Sequence, residues 1–277
     1  MVPLPPTERL HPDGAHLSGL PLARALSTLH RGDAEAVHAV GRALPALARL
    51  AALAAGSLAA GGRLVYAGAG TSGRLAAMDA AECPPTFGVL PSQVVALVAG
   101  GRRALSRSVE GAEDDREAGR RAVRGARVGP RDLVVGISAS GRTPFTLAAL
   151  AEARARGAAT ALLSSAPPPA AAARHRIVLD TGPERIAGST RMKAGTAAKM
   201  ALTLLSTGAM LRLGRIDRGR MVDLSAASQK LRRRAVRIVA EVTGASPPRS
   251  RAALLRSGWS VRAALAELRQ RRPRRRG

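Results

Sequence analysis

The stretch "RLVYAGAGTSGRLAAMDAAE", Arg63 to Glu82, decides the fold of this chain. Its short apolar run ends in glycines, which is typical of a buried β-strand that enters a tight loop. The residues after the loop, Thr71 to Glu82, have the composition of an α-helix. A strand that passes through a glycine loop into a helix predicts the first half of a β-α-β unit.

The same alternation of strand and helix continues along the chain. Four more apolar runs predict strands: "SQVVALVAG", "DLVVGISASG", "AATALLSS" and "HRIVLDTG". Helical segments separate most of them, including "RTPFTLAALAEARARG" and a segment that is helical on both sides of a break at Gly111. Short apolar strands that alternate with helices predict an α/β fold with a doubly wound, five-stranded parallel sheet.

The patterning also predicts the limits of the domains. Residues 1–33 read as an N-terminal arm with one short helix, and a second helix is expected to begin at Asp33. We expect the sheet domain over residues 34–220 and a C-terminal helical subdomain over residues 221–268, made of one long helix and two small ones. The arginine-rich tail, residues 269–277, is expected to be disordered.

Composition narrows the classes of function. The single cysteine fits a reducing compartment, and no charge-free run of 18 apolar residues is present, so we expect a cytoplasmic protein without a membrane span. The net charge of +25 could indicate nucleic-acid binding. Dispersed arginines and an aromatic content of 1% favour a solvated surface instead, with no specific nucleic-acid partner.

Two loops at the carboxyl ends of predicted strands could bind phosphate. The first is "GAGTSGR", Gly68 to Arg74, and the second is "SASGRTP", Ser138 to Pro144. Glycines let a backbone approach an anion, and a helix N-terminus supplies free N–H groups. A dinucleotide site is a weaker alternative, because no acidic residue follows the second strand. Tight turns without a ligand are the other alternative.

Candidate acids lie near both loops. Glu82 precedes Pro84 and Pro85, which are expected to end the helix and let the carboxylate point into the cleft at the carboxyl ends of the strands. A solvated surface residue is the alternative for Glu82. Glu113 lies in an acidic cluster that would equally suit a helix N-terminus. Cys83 has no recognisable histidine partner, so a packed thiol is expected there.

The stretch "GSTRMKAGTAAK", Gly188 to Lys199, offers two cations. Arg191 and Lys193 could contact an anion or could simply flank a helix start. Histidine and cysteine never occur at ligand spacing, so no metal site is predicted.

Four blocks together resemble one family: "GAGTSGRLAAMDAAECPPTFG", "VEGAEDDREAG", "GISASGRTPF" and "GSTRMKAGTAAK". They are similar to the N-acetylmuramic acid 6-phosphate etherases of the sugar isomerase (SIS) domain superfamily. The resemblance runs from about Thr7 to about Leu268, and the arginine-rich tail departs from it. It implies a flavodoxin-like SIS domain, a sugar-phosphate substrate and a homodimer, with no cofactor.

The resemblance also implies a reaction and its residues. The family releases D-lactate from the C3 ether of its substrate by elimination and hydration, and Glu82 and Glu113 match its two catalytic glutamates. The matching phosphate-binding residues are Thr71, Ser72, Gly73, Ser138, Ser140, Gly141 and Thr143, to which we add Arg191 and Lys193. A non-catalytic sugar-phosphate regulator of the same fold is the alternative.

Overall fold

The computed structural model describes residues 4–224, 226 and 228–270. The chain folds into two compact units. The first contains the residues up to Ala81 together with Ser92–Ala209, and the second contains Glu82–Pro91 together with the residues from Met210 onward. The predicted domain limits do not coincide with this division and stay predictions.

The first unit is built around a parallel sheet. Its five strands are β1 Leu64–Gly68, β2 Val94–Val98, β3 Leu133–Ile137, β4 Ala159–Ser164 and β5 His175–Val178. All neighbouring pairs are parallel, in the order β2-β1-β3-β4-β5. Strands β1 and β3 are buried along their whole length, as expected for a sheet that is covered on both faces. The predicted α/β class and five-stranded sheet are confirmed.

The chain reverses its direction of winding between β1 and β3. From β1 it proceeds to β2 on one side, and it then crosses back to place β3 on the other side. Gly68 and Ile137, the last residues of β1 and β3, are register partners. The loops that follow these two strands therefore start side by side, at the position where open α/β sheets bind their ligands.

Five helices accompany the sheet: α1 Leu22–Ala59, α2 Gly70–Phe87, α3 Arg116–Gly125, α4 Pro144–Ala155 and α5 Lys193–Arg212. Helix α1 contacts β1, β3 and β5. It is long and apolar enough to cross a membrane by those two criteria alone, yet many of its residues, such as Ala36, Leu47 and Ala54, lie in the folded core. Burial of this kind is typical of a core helix.

Helix α1 also corrects an expectation. Two helices were predicted here, with the second starting at Asp33, but one helix runs unbroken through Gly32 and Asp33. Gly32 is buried beside the side chains of Lys193 and Arg185, so tertiary packing overrides the local start signal.

In its described residues, the second unit contains a short hairpin and three helices. Strands β6 Ile216–Asp217 and β7 Arg220–Met221 pair antiparallel and were not predicted. Helices α6 Gln229–Thr243, α7 Pro247–Arg256 and α8 Val261–Gln270 match the expected long helix and two small ones. They share a core that includes Ile238, Leu254 and Leu265. Arg269 and Gln270 of the predicted disordered tail belong to α8, and the rest of that tail lies outside the described residues.

Candidate active site

The two predicted loops line one pocket of the first unit. Ser72 follows β1 and Ser138 follows β3, and both border this pocket. The end of β4 and the start of α5 complete the lining with Ser165, Thr190 and Gly195. Four of these residues carry hydroxyl groups, which are donors of the kind that hydrogen-bond an anion.

The glycines of the first loop allow its backbone to fold tightly. Gly70 has a φ of +53°, in the left-handed region that favours glycine. A Cβ atom on Gly73 would lie 2.7 Å from the Gly68 carbonyl oxygen and 2.8 Å from Val98 Cγ1. The turn from β1 into α2 therefore requires glycine, and it leaves Thr71 and Ser72 half-buried at the first turn of α2.

The second loop gathers three hydroxyl groups. Ser138 Oγ lies 2.8 Å from Thr143 Oγ1 and 3.4 Å from Ser140 Oγ, and Ser140 Oγ accepts a hydrogen bond from Arg142 N. Gly141 has a φ of +68°, and a Cβ there would lie 2.9 Å from Pro168 Cβ. The loop ends at Pro144, the first residue of α4. Its hydroxyls therefore cluster beside a helix N-terminus, where the dipole favours negative charge.

Glu113 is anchored to the second loop through its backbone. Its carbonyl oxygen accepts a hydrogen bond of 2.9 Å from Phe145 N, in the first turn of α4. The side chain is exposed. The helix expected just after Gly111 begins only at Arg116, because Asp115 caps it through Ala118 N. Glu113 consequently lies in a turn rather than in a helix.

Glu82 is an exposed residue of α2. The prediction that Pro84 and Pro85 end this helix is wrong, because α2 continues to Phe87. Gly88, with a φ of +64°, ends it instead, and its N–H donates to the Pro84 carbonyl. Each proline removes only its own backbone hydrogen bond to the residue four positions earlier. Cys83 is buried, as expected of a packed thiol.

Lys193 differs from the other predicted anion ligands. Arg191 is exposed, whereas Lys193 is only 2% exposed and its Nζ contacts a carboxylate oxygen of Glu35. Burial opposes ionisation of Glu35, but the hydrogen bond and charge of Lys193, together with Arg185, hold the pKa of Glu35 below its ordinary value. The role of Lys193 as an anion ligand stays a prediction, and its ion pair suggests another role.

Comparison with known proteins identifies the family. Two family models match the chain: the glucokinase regulatory protein N-terminal SIS domain over residues 47–154 and the SIS domain over residues 119–208. A protein from Gloeobacter violaceus named N-acetylmuramic acid 6-phosphate etherase is 48% identical over 261 residues, covering 94% of this chain and 85% of the relative. An etherase from Symbiobacterium thermophilum is 50% identical over 242 residues, covering 87% and 80%.

The chain belongs to the N-acetylmuramic acid 6-phosphate etherase family. A Deinococcus radiodurans member is 47% identical over 264 residues, 95% of this chain and 87% of that relative. The resemblance that rested on four motifs is thereby confirmed. A solved structure of an E. coli CFT073 protein in complex with A5P shares the fold, with a TM-score of 0.50, 18% identity and coverage of 72% of this chain and 96% of that one.

Two features of this etherase-family site were missed from the sequence. Ser165 follows β4, and the rule that found the serines after β1 and β3 would have found it too. Glu184 is fully buried and accepts hydrogen bonds from the backbone N–H groups of Lys193 and Ala194. Burial raises the pKa of the Glu184 carboxyl, and those hydrogen bonds oppose the rise. No pattern of sequence spacing predicts that residues 184, 193 and 35 lie together in the fold.

Proposed function

We propose that this chain cleaves the D-lactyl ether of N-acetylmuramic acid 6-phosphate, giving N-acetylglucosamine 6-phosphate and D-lactate. The observation that carries this proposal is its identity of 44–50% with relatives named as etherases, over most of both sequences. The hydroxyl-lined pocket at the switch point of the sheet supports a phosphorylated substrate.

In this proposal the loops bind the 6-phosphate without a metal or a cofactor. Hydroxyl and backbone N–H groups would donate to its oxygens, in the way that helix N-termini bind anions. The donors are those of Thr71, Ser72, Gly73, Ser138, Ser140, Gly141 and Thr143. Exposed Arg191 could add a charge-assisted hydrogen bond from the rim.

The two glutamates divide the proton transfers. In the open-chain sugar, the C1 aldehyde acidifies the C2 hydrogen, and Glu113 removes that proton. Glu82 protonates the C3 ether oxygen, the C3–O bond breaks, and D-lactate leaves with that oxygen. Water then adds to C3 of the unsaturated aldehyde, with the two groups acting in reverse. General acid-base catalysis of this kind contributes about 10²- to 10⁴-fold for each group.

An isotope experiment tests the proposed route. Purified protein is incubated with the substrate in water enriched in ¹⁸O and, separately, in ²H₂O. Elimination followed by hydration predicts ¹⁸O at C3 of the sugar product, unlabelled lactate and deuterium at C2. Labelled lactate would indicate cleavage of the other ether bond and would contradict the proposal, as would the absence of D-lactate.

A second candidate function is a non-catalytic sugar-phosphate sensor. The match of residues 47–154 to the glucokinase regulatory protein model favours it. A sensor needs the serine loops but no acid or base, so it would bind N-acetylglucosamine 6-phosphate without turnover. Calorimetric binding combined with no D-lactate release would select this alternative. An isomerase would convert an aldose to a ketose, also without lactate.

We further propose a cytoplasmic homodimer. Helix α5 leaves Leu204 and Leu211 exposed, at 44% and 55%, and their spacing of seven residues places them on one face. A second copy of the chain would cover such a face. Sedimentation velocity should give twice the mass of 28.5 kDa for the wild type, and a monomer would contradict this assembly.

A further inference from the structure

Helix α5 begins with a lysine that is almost inaccessible to solvent. Lys193 is 2% exposed, and its Nζ lies 2.5 Å from Glu35 Oε2 of α1. Arg185, 4% exposed, contacts the other oxygen of the same carboxylate. One glutamate of α1 thus pairs with two buried cations, and it ties α1 to the start of α5.

Helix α1 leaves space for the Lys193 side chain at Gly32. A Cβ atom on Gly32 would lie 3.1 Å from Lys193 Cδ and 3.3 Å from Lys193 Cγ. Glycine is disfavoured inside helices because it gains backbone entropy on unfolding. At position 32 the missing side chain leaves room for the lysine stem, one helical turn before Glu35.

The backbone of the same helical turn is held as well. The Glu184 carboxylate accepts from Lys193 N at 3.0 Å and from Ala194 N at 2.9 Å. The next residues, Ala194 and Gly195, line the pocket with Ser72 and Ser138. A Cβ on Gly195 would lie 3.4 Å from Thr71 Cγ2, so the starts of α5 and α2 are in close contact. Any shift of this turn would change the shape of the pocket lined by Ser72 and Ser138, which we call the serine pocket.

We infer that Glu35 and Lys193 are positioning residues that hold the first turn of α5 against the serine pocket, and that Lys193 does not itself bind the anion. This inference deepens the proposed function and rests on it for the identity of the ligand. The ammonium already has a carboxylate partner, and a lone cation left at such a buried site is strongly unfavourable. The two roles of Lys193 predict opposite results for substitutions at Glu35.

The test measures the Kd for N-acetylglucosamine 6-phosphate by calorimetry in Glu35→Gln, Lys193→Met and the double variant. Glu35→Gln leaves Lys193 as an unpaired buried cation, whereas Arg185 keeps a carboxylate partner in Asp13 at 3.7 Å. We therefore expect displacement of α5 and binding weaker by up to about 100-fold. Lys193→Met removes the tether to α1 but leaves no charge unpaired, because Arg185 still pairs with Glu35, so we expect binding to weaken only several-fold. The double variant should recover most of the affinity that Glu35→Gln loses, since it removes the stranded ammonium.

Direct binding of the anion by Lys193 predicts another pattern. Glu35→Gln would then bind the phosphate as well as wild type or more tightly, because a competing carboxylate is gone. Lys193→Met and the double variant would be equally weak. That pattern overturns the inference.

A pair of glycine substitutions in α1 tests the same contact without touching a charge. Gly32→Ala places a methyl group against the Lys193 stem, whereas Gly41→Ala has no atom within 4 Å of its Cβ. We expect Gly32→Ala to weaken binding of the sugar phosphate several-fold and Gly41→Ala to leave it unchanged. Equal binding by both variants, with both folded by circular dichroism, contradicts the inference.

Failure of the inference is distinguishable from failure of the proposed function. If wild type binds N-acetylglucosamine 6-phosphate but releases no D-lactate, the proposed reaction fails while the binding measurements still decide the role of Lys193. If wild type binds neither that sugar nor inorganic phosphate, both fail.

Discussion

Ser138 shows how one hydroxyl serves two functions at the candidate site. It is 2% exposed, contacts Thr143 Oγ1 at 2.8 Å and borders the pocket. Ser138→Ala removes a donor for the phosphate and leaves Thr143 without that partner. A hydrogen bond to a charged group contributes about 1.5–3 kcal/mol, so we expect N-acetylglucosamine 6-phosphate to bind at least about tenfold more weakly. Calorimetry beside exposed Ser18→Ala checks this, and equal affinities would contradict it.

Asp132 makes a largely buried ion pair with Arg63, next to the first residue of β3. Its Oδ2 accepts from Arg63 Nη2 at 2.7 Å and from Gly129 N at 2.9 Å. Burial would raise the pKa of Asp132, but the hydrogen bonds and charge of Arg63, with the Gly129 N–H, hold it below its ordinary value. A carboxyl with a lowered pKa stabilises the fold above its unfolded pKa, and that stability is lost as the pH falls through the folded pKa.

The Asp132→Asn variant tests this linkage. We expect a loss of about 2 kcal/mol at pH 7, less than for a fully buried pair because Arg63 is 26% exposed. The difference from wild type should start to shrink as the pH falls below about 3.9, the ordinary pKa of an aspartate, and should disappear only below the lowered pKa of the folded carboxyl. Urea unfolding at pH 7 and pH 3 measures both values, with exposed Asp114→Asn as the control. A difference that is independent of pH would contradict the account.

At the scale of elements, the strands were predictable and several helix ends were not. Five short apolar runs bounded by glycines, prolines or polar residues each became a strand. Gly32 lies inside α1, where Lys193 packs on it, and that contact cannot be read from local spacing. Helix α2 passes Pro84 and Pro85 and ends at Gly88, which is itself a local stop signal, one that the prediction assigned to the prolines.

Helices α3 and α4 approach closely through one glycine. A Cβ on Gly119 would lie 2.3 Å from the Phe145 carbonyl oxygen, in the first turn of α4. Gly119→Ala should therefore destabilise the fold by about 2 kcal/mol, and it should weaken binding at the neighbouring serine loop. Gly125→Ala in the same helix has no atom within 4 Å and should be neutral. Thermal unfolding of both variants measures this difference in stability. Equal transition temperatures would contradict the close contact between Gly119 and Phe145.

At the scale of the whole molecule, the net charge of +25 should accelerate capture of an anionic substrate. We expect kcat/KM for the phosphorylated substrate to fall several-fold when ionic strength rises from about 20 to about 200 mM, while kcat changes little. Steady-state D-lactate assays in sodium chloride measure this. A kcat/KM that is independent of salt would show that the positive charge does not steer the substrate.

Some features of the fold and of the candidate site can be predicted from the sequence, and others cannot. The alternation of apolar runs with helical segments and the spacing of the glycines were enough to predict the sheet and both serine loops, because these signals are local. The roles of Glu82 and Glu113 came from the family resemblance alone, since an exposed glutamate carries no local mark of catalysis. The Glu35–Lys193 pair could not be predicted, because its partners are 158 residues apart.

One assay decides whether Glu82 and Glu113 are the catalytic acid and base. D-lactate release from N-acetylmuramic acid 6-phosphate is measured for wild type, Glu82→Gln and Glu113→Gln, with binding of N-acetylglucosamine 6-phosphate as the control for folding. We predict rapid release by wild type and a loss of about 10²- to 10⁴-fold in each variant, with the sugar phosphate still bound. Variants that release D-lactate at the wild-type rate would contradict the account.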